Sequence, residues 1–303
     1  MAQLLITGGA GFIGHHAVWQ ALERGWQVSV LDNFYTGKLE NLLLPSGNIP
    51  GNLTVYECDV AGGPMPDIKN IDYVLHLASP VSVQESLEDW EKYFRGIFGG
   101  SERVFRWATE RGAQSIVAAS TAAVYGDNQD IPFNEQTTPA PMSPYAEYKL
   151  EMESLLEQYH TRDTQCAALR FFNVFGEGQP DDVGYVSAIP IFKKQFESYQ
   201  PITVTGDGRQ TRDFVYVGDV VEACFAALTR PNGGFEAMPI WNVASGEETP
   251  ILDIAETFGG EIVHIEEREE PKRSRADISL ITQMLEWRPS VNVLQWIKEQ
   301  RDA

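Results

Sequence analysis

Tyr145 and Lys149 stand four residues apart in a segment that starts as a helix after Pro144. Positions i and i+4 share one helix face, so the phenol and the ammonium are neighbours. A phenol beside a positive charge ionises more readily, which makes it a usable proton acceptor near neutral pH. Upstream, Ser120-Thr121 closes an apolar run. Ligands bind at the strand ends of open parallel sheets, so a hydroxyl there is well placed to meet one. The plain alternative is a surface aromatic with a solvated lysine, because Tyr-x-x-x-Lys often arises by chance.

A second constellation suits a phosphate ligand. Gly8, Gly11 and Gly14 follow an apolar strand and open a helix. The first glycine permits a tight turn, the second lets a pyrophosphate approach the backbone, and the third lets helix and strand pack closely. Free N–H groups and the positive dipole end of the helix then face the phosphates. Asp32 ends the next strand, 18 residues beyond Gly14. A carboxylate there accepts hydrogen bonds from ribose hydroxyls and repels a 2′-phosphate, which favours NAD over NADP. Asp32-Asn33 also reads as an ordinary turn pair. Asp59, at the end of another strand, is a candidate contact for the adenine edge.

Elements that position these residues are legible as alternating apolar runs and helical stretches. Strands are expected at 2–6, 27–31, 53–58, 73–77, 115–119 and 166–171, with long helices at 83–111 and 144–160. Such alternation predicts a parallel sheet covered on both faces. The expected class is α/β, a Rossmann-type doubly wound parallel sheet with a smaller C-terminal α/β substrate lobe. Residues 1–172 are assigned to the dinucleotide-binding domain, with 213–245 partly returning to it. Residues 173–212 and 246–303 form the expected substrate lobe. Residues 33–52 read as a polar loop. C-terminal helices are expected near 278–285 and 291–299.

The whole-chain totals exclude several classes. The 303 residues are 43% hydrophobic and 22% charged, which argues for a folded globular protein and against disorder. The net charge of −20 disfavours nucleic-acid binding, which needs a basic footprint. A negative ligand must then meet local cations, for which Arg170, Arg212 and the Lys272, Arg273, Arg275 cluster are the candidates. No apolar run approaches bilayer-spanning length, so no membrane partner is expected. Residues 1–6 enter a strand directly and lack a signal-peptide pattern, which points to the cytoplasm. The 3 cysteines, Cys58, Cys166 and Cys224, are widely spaced and read as buried reduced thiols. The histidines form no ligand cluster, and no metal site is expected.

Taken in order, the motifs resemble one family. Gly8-x-x-Gly11-x-x-Gly14, Asp32, His76-Leu77-Ala78-Ser79, Ser120-Thr121-Ala122-Ala123-Val124-Tyr125-Gly126, Pro144-Tyr145-Ala146-Glu147-Tyr148-Lys149 and Arg170-Phe171-Phe172-Asn173-Val174-Phe175-Gly176 are similar to the extended short-chain dehydrogenases, and within them the nucleotide-sugar epimerases. The resemblance runs over residues 2–289. It implies that Thr121 hydrogen-bonds a substrate oxygen, that Tyr145 is the acid/base, and that Lys149 contacts the cofactor ribose and tunes Tyr145. It places Gly8, Gly11, Phe12, Ile13, Gly14, Asp32, Asn33, Asp59, Val60, Leu77, Ala78, Ser79, Tyr145 and Lys149 around NAD. On the sugar-nucleotide side it places Ser79, Thr121, Tyr145, Asn173, Ser187, Val204, Arg212 and Ser274. Arg212 is the implied pyrophosphate ligand, unless it pairs with Asp213 or Asp219.

The same resemblance bears on the reaction. Family dehydratases and decarboxylases usually carry an acid soon after the catalytic hydroxyl, where this chain has Ala122 and Ala123. That points to an epimerase with a transient 4-keto sugar. The segments Tyr185-Val186-Ser187-Ala188-Ile189-Pro190 and Ser274-Arg275-Ala276-Asp277 most resemble UDP-hexose 4-epimerases. A small residue at Ser274 leaves room for an N-acetyl group, unless it is a plain surface serine. A UDP-uronic acid 4-epimerase is the alternative substrate reading, and a silent NAD-binding regulator the alternative class. Two departures stand out: Gly96 replaces a frequent asparagine, and Arg268 is displaced by about one residue from the family's arginine. The helices at 83–111 and 144–160 carry apolar faces beyond what one sheet face needs, and the resemblance implies that they pair with their copies as a four-helix bundle in a homodimer, with Trp90, Phe94, Phe98, Leu150, Leu155 and Leu156 as the motivating apolar residues.

Overall fold

Leu4, Leu5 and Ile6 are all buried in the first strand, β1 (Gln3–Thr7). A strand apolar on both faces belongs inside a parallel sheet with cover on each side. The computed structural model, which describes residues 1–181, 187–230, 237–267 and 270–302, places it there. The sheet continues with β2 (Gln27–Asp32), β3 (Leu53–Glu57), β4 (Tyr73–His76), β5 (Ser115–Thr121), β6 (Gln165–Phe171) and the later strand Ile240–Val243. Their spatial order is β3-β2-β1-β4-β5-β6 and then Ile240–Val243, all parallel. The chain therefore runs outward from β1 to β3, returns to β4, and runs out the other way. The reversal between β1 and β4 opens a crevice at the carboxyl ends of the strands.

Side chains alternate between two apolar layers. Leu4, Ile6, Val30, Leu75 and Val117 pack beneath α1 (Phe12–Glu23) and the helix Val217–Thr229. Leu5, Leu31, Val74, Ile116 and Ala118 face the opposite layer. The helices there are α2 (Val83–Glu88), α3 (Trp90–Tyr93), α4 (Gly100–Glu110) and α5 (Pro144–Glu157). A separate cluster of Phe175, Phe192, Val204, Ile254, Phe258 and Trp296 joins the helices Ala188–Glu197, Ile251–Phe258 and Val293–Asp302. They pack around the parallel strand pair Ile202–Thr205 and Ile262–Ile265. Ile281 and Trp287 return to the main sheet's first layer.

The expected single helix at 83–111 is broken. Asp89 leaves the helical conformation at φ −136° and ψ 70°, and its carboxylate accepts the Lys92 N–H at 3.0 Å. An aspartate that caps a new helix ends the old one. A π-helical turn then spans Phe94–Gly99 before α4 begins. Residues 33–52 are not merely a polar loop. They contain a short 3₁₀ turn, Leu39–Leu42, whose Leu42 is fully buried. All three cysteines are buried and free. No helix among the described residues is long and apolar enough to cross a membrane.

Candidate active site

The glycine turn joins β1 to α1 at the crevice. Gly11 is the N-cap of α1 and offers no side chain to its first turn, which also lacks acidic residues. The first N–H groups of this helix are thus left for something other than a protein cap. At Gly14 a Cβ would fall 2.0 Å from the Gly8 carbonyl oxygen, so only glycine lets the helix sit this close to the turn. The Asp32 carboxylate accepts the N–H groups of Ala10 at 2.9 Å and Phe34 at 2.8 Å. It is buried, and burial pushes its pKa above the ordinary value against the pull of those two donors. Each carboxylate oxygen keeps lone pairs for a further donor. Ala10 also accepts from Lys38 N–H and from Asn41 Nδ2, which ties the following loop to the turn.

Across the crevice, the Ala78 N–H donates to Thr7 Oγ1 at 3.2 Å, so the end of β4 meets the end of β1. Leu77, Ala78 and Ser79 are half-buried along this edge. Phe12 and Ile13 are half-buried in the first turn of α1, while Asn33 and Asp59 are exposed and Val60 is buried. The Asn33 and Asp59 side chains accept the N–H groups of Tyr35 and Ala61, each two residues on.

The second constellation lies at the end of β5. Thr121 closes the strand and its Oγ1 accepts the Ala123 N–H at 3.2 Å, which starts the turn Ala122–Tyr125. Helix α5 starts where Ser143 caps the Ala146 N–H and Pro144 takes the first helical position. Tyr145 therefore sits in the first turn, half-buried, with its ring edge-on to Tyr93 at 6.4 Å. One turn on, Lys149 is 5% exposed, and its Nζ donates to the Ala119 carbonyl at 2.7 Å. Burial pulls the Lys149 pKa down to about 8, opposed by Glu153. Lys149 is thus held against the end of β5, two residues before Thr121, with Tyr145 one turn earlier on the same helix.

Residues expected on the sugar-nucleotide side are more dispersed. Asn173 is half-buried just beyond β6, and Ser187 precedes the helix Ala188–Glu197 and accepts from Gln179 Nε2. Val204 is fully buried in the second apolar cluster, where a valine on a short strand packs as core. Ser274 is half-buried beside Arg275. Arg212 pairs with neither Asp213 nor Asp219. Its guanidinium reaches Glu270 at 2.7 Å and the carbonyls of Thr211 and Pro271. Asp213 instead is buried and accepts from Ser245, Gly246 and Ala276. Burial pushes its pKa up to about 6. Tyr185, Val186 and Arg268 lie outside the described residues.

Residues 4–244 match a family described as the NAD dependent epimerase/dehydratase family. The chain belongs to that family. Its fold is that of the family's solved members, and it is an NAD-dependent enzyme. The UDP-N-acetylglucosamine 4-epimerase of Methanobrevibacter ruminantium, solved with UDP-N-acetylmuramic acid, matches at a TM-score of 0.89 and 30% identity over 99% of this chain and 97% of that one. The UDP-glucose 4-epimerase of Thermus thermophilus, solved with NAD, matches at 0.84 and 30% identity over 99% and 98%. The UDP-N-acetyl-alpha-D-glucosaminuronate decarboxylase of Bacillus cytotoxicus is 31% identical over 97% of this chain and 95% of its own length.

The residues present fit the family's dinucleotide. The glycine turn leaves helix N–H groups uncapped, and Asp32 has acceptor capacity at the end of the second strand. Gly96 also has a local reason. It lies against Pro80, whose Cδ would be 2.8 Å from a Cβ, so the family's frequent asparagine does not fit there.

One expected cation is corrected. Arg170 is not available to a ligand, because it is 3% exposed and forms a two-pronged ion pair with Glu153, at 2.9 and 2.7 Å. A guanidinium inside a strand buried on both faces must be paired. Sequence reasoning missed Glu153 altogether. Its signal was spacing: Tyr145, Lys149 and Glu153 follow at i, i+4 and i+8 on one helix face.

Proposed function

We propose that this enzyme is a UDP-hexose 4-epimerase that accepts UDP-glucose and UDP-galactose and their N-acetylated counterparts. One observation carries the reading. Lys149, one turn after Tyr145 on α5, is held against the end of β5 that Thr121 closes, and the turn that follows Thr121 offers Ala122 and Ala123 where a dehydratase or decarboxylase needs an acid. NAD, held at the glycine turn and by Asp32, would supply reversible hydride acceptance and donation at the sugar's C4, through which a 4-keto sugar could be reduced on its opposite face. Thr121 holds the C4 oxygen by its hydroxyl. Tyr145 accepts the hydroxyl proton as the carbonyl forms and gives it back as the carbonyl is reduced. Lys149 donates to the cofactor ribose and favours the Tyr145 phenolate by its charge. Asp32 receives the adenosine ribose hydroxyls.

Arg212 turns from Glu270 toward the substrate diphosphate, for which a guanidinium's two-pronged geometry is suited. The half-buried Ser274 leaves space beside the sugar, consistent with a relative named as a UDP-N-acetylglucosamine 4-epimerase. A second reading, a UDP-uronic acid 4-epimerase, is favoured by Arg275, whose Nε is buried with no hydrogen-bond partner among the described residues. An unspent donor of that kind suits a carboxylate. Incubation with UDP-glucose, UDP-N-acetylglucosamine and UDP-glucuronic acid, followed by product analysis, separates the readings. C4 epimers of the first two support the proposal. Turnover of the uronate alone favours the second reading, and loss of carbon dioxide overturns both.

The enzyme is also proposed to be a homodimer through α3 and the π-helical turn that follows it. Trp90 is 53% exposed and Phe94 40%, while Phe94 stacks on Phe98 and meets Tyr148 edge-on. Leu155 and Leu156 take no part, because both are buried in their own chain's core.

A further inference from the structure

Behind Lys149 lies a buried polar chain that the reaction itself does not use. Ser120 Oγ donates to Glu153 Oε1, Arg170 closes on both Glu153 oxygens, and a third guanidinium nitrogen donates to the Tyr125 hydroxyl at 3.0 Å. Tyr125 donates in turn to Asn242 Oδ1 at 2.7 Å. Ser120 and Arg170 are register partners on adjacent strands β5 and β6. Glu153 therefore bridges two strands from a helix, one turn below Lys149. Ser120, Glu153 and Arg170 are each 3% exposed or less.

We propose that Glu153 is a positioning residue for the active site: its shared carboxylate seats the Tyr145–Lys149 face of α5 against β5 and sets a negative charge one turn from the Lys149 ammonium. The inference rests on the reading of Lys149 as a cofactor contact. Geometry supplies the seat, since Glu153 grips Ser120, the residue between Ala119, which accepts from Lys149, and Thr121. Charge supplies the rest. Burial drives Lys149 toward the neutral amine, and Glu153 opposes it.

Other titratable or charged groups packed around this face are His76 on β4, Tyr93 on α3, Tyr125 on the turn after β5 and Arg170 on β6, besides Tyr145 on the helix itself. Burial takes the His76 pKa down to about 3. Burial takes Tyr93 and Tyr125 upward. Arg170 is held charged by Glu153. None of these four changes charge between neutral pH and the Lys149 value of about 8.

The test is NAD affinity, measured by calorimetric titration from about pH 6 to about pH 10, for the wild type, Glu153→Gln and Glu153→Gln/Arg170→Gln. The wild type should bind more weakly above a break near the Lys149 pKa. Glu153→Gln should move that break down by up to about one pH unit, a tenfold change in proton affinity at that site, and the double variant should move it the same way but less, because the opposing Arg170 charge leaves with Glu153. The double variant leaves no unpaired buried charge, so it reads the effect even if the single variant fails to fold. A purely structural role leaves the break in place. An unmoved break in a folded variant overturns the proposal. A wild type with no break overturns instead the reading of Lys149 as a cofactor contact, and the proposal with it.

Discussion

Lys149→Met should make the protein more stable and less able to hold its cofactor. Lys149 is 5% exposed, and its pKa falls from 10.5 to about 8 because its ammonium is taken out of water. That drop corresponds to about 3 kcal/mol of strain on the charged form at neutral pH. The methionine loses the hydrogen bond to Ala119, worth about 1 kcal/mol. The net gain at neutral pH is therefore about 2 kcal/mol. The sign with pH follows from linkage. Between about 8 and 10.5 the unfolded chain keeps a proton that the folded chain has released, so this group makes the wild type more stable as pH rises through that window. The methionine variant has no such group, and its advantage should shrink across the same range. Urea unfolding of nucleotide-free protein near neutral pH and near pH 10 measures both ends. Subtracting variant from wild type cancels the tyrosines and cysteines remote from Lys149 that also titrate there, and leaves Lys149 together with the Tyr145 it influences. In parallel, NAD affinity should fall at least about tenfold, since the ammonium is the proposed ribose donor. A variant less stable than wild type near neutral pH, or a difference that does not change with pH, refutes the burial argument.

The remaining expectations concern the reaction, the turn and the assembly. Tyr145→Phe should lower kcat by about 10²–10⁴-fold while NAD affinity by titration stays nearly unchanged, because the ring packing is kept and only the proton carrier is lost. Near-wild-type turnover would remove Tyr145 from the mechanism. Gly14→Ala places a methyl 2.0 Å from the Gly8 carbonyl oxygen, and should cost about 2–3 kcal/mol of stability in a denaturant melt together with most NAD binding. Trp90→Glu with Phe94→Glu should yield a monomer by light scattering at micromolar concentration. A wild type that is already monomeric there counts against the helical interface.

Much of the fold was readable because buried parallel strands leave uninterrupted apolar runs. Leu4-Leu5-Ile6 and Ile116-Val117-Ala118 could be little else, and each ends at a residue that the structure sets on the crevice. The placement of Thr121, Tyr145 and Lys149 was readable for a related reason. Two members share one helix period, and the third closes a strand. The break in the helix at 83–111 is not legible in its apolar periodicity, which continues across Asp89, because it comes from a side chain that caps the next turn. Leu155 and Leu156 read as contacts with a second copy, since amphipathicity marks an apolar face without saying whose core it enters. They complete their own.

The charged residues show most clearly where a one-dimensional reading stops. Arg170 looked like a free cation for an anionic ligand, yet it stands between Leu169 and Phe171 in a strand with both faces covered. Burying an unpaired guanidinium is far too costly, so the strand assignment by itself demanded an acid. That acid is 17 positions back on a helix, at Glu153. Arg212 obeys a different rule. Its pair with Glu270 spans 58 positions, and their side chains are 12% and 32% exposed, against 3% for both partners in the Arg170–Glu153 pair. Water reaches the first pair, so exchanging Glu270 for a diphosphate costs little desolvation. The second pair has no such route, because breaking it strands two charges in the core. Burial therefore suits Arg212 to the binding role proposed for it and ties Arg170 to α5 through Glu153.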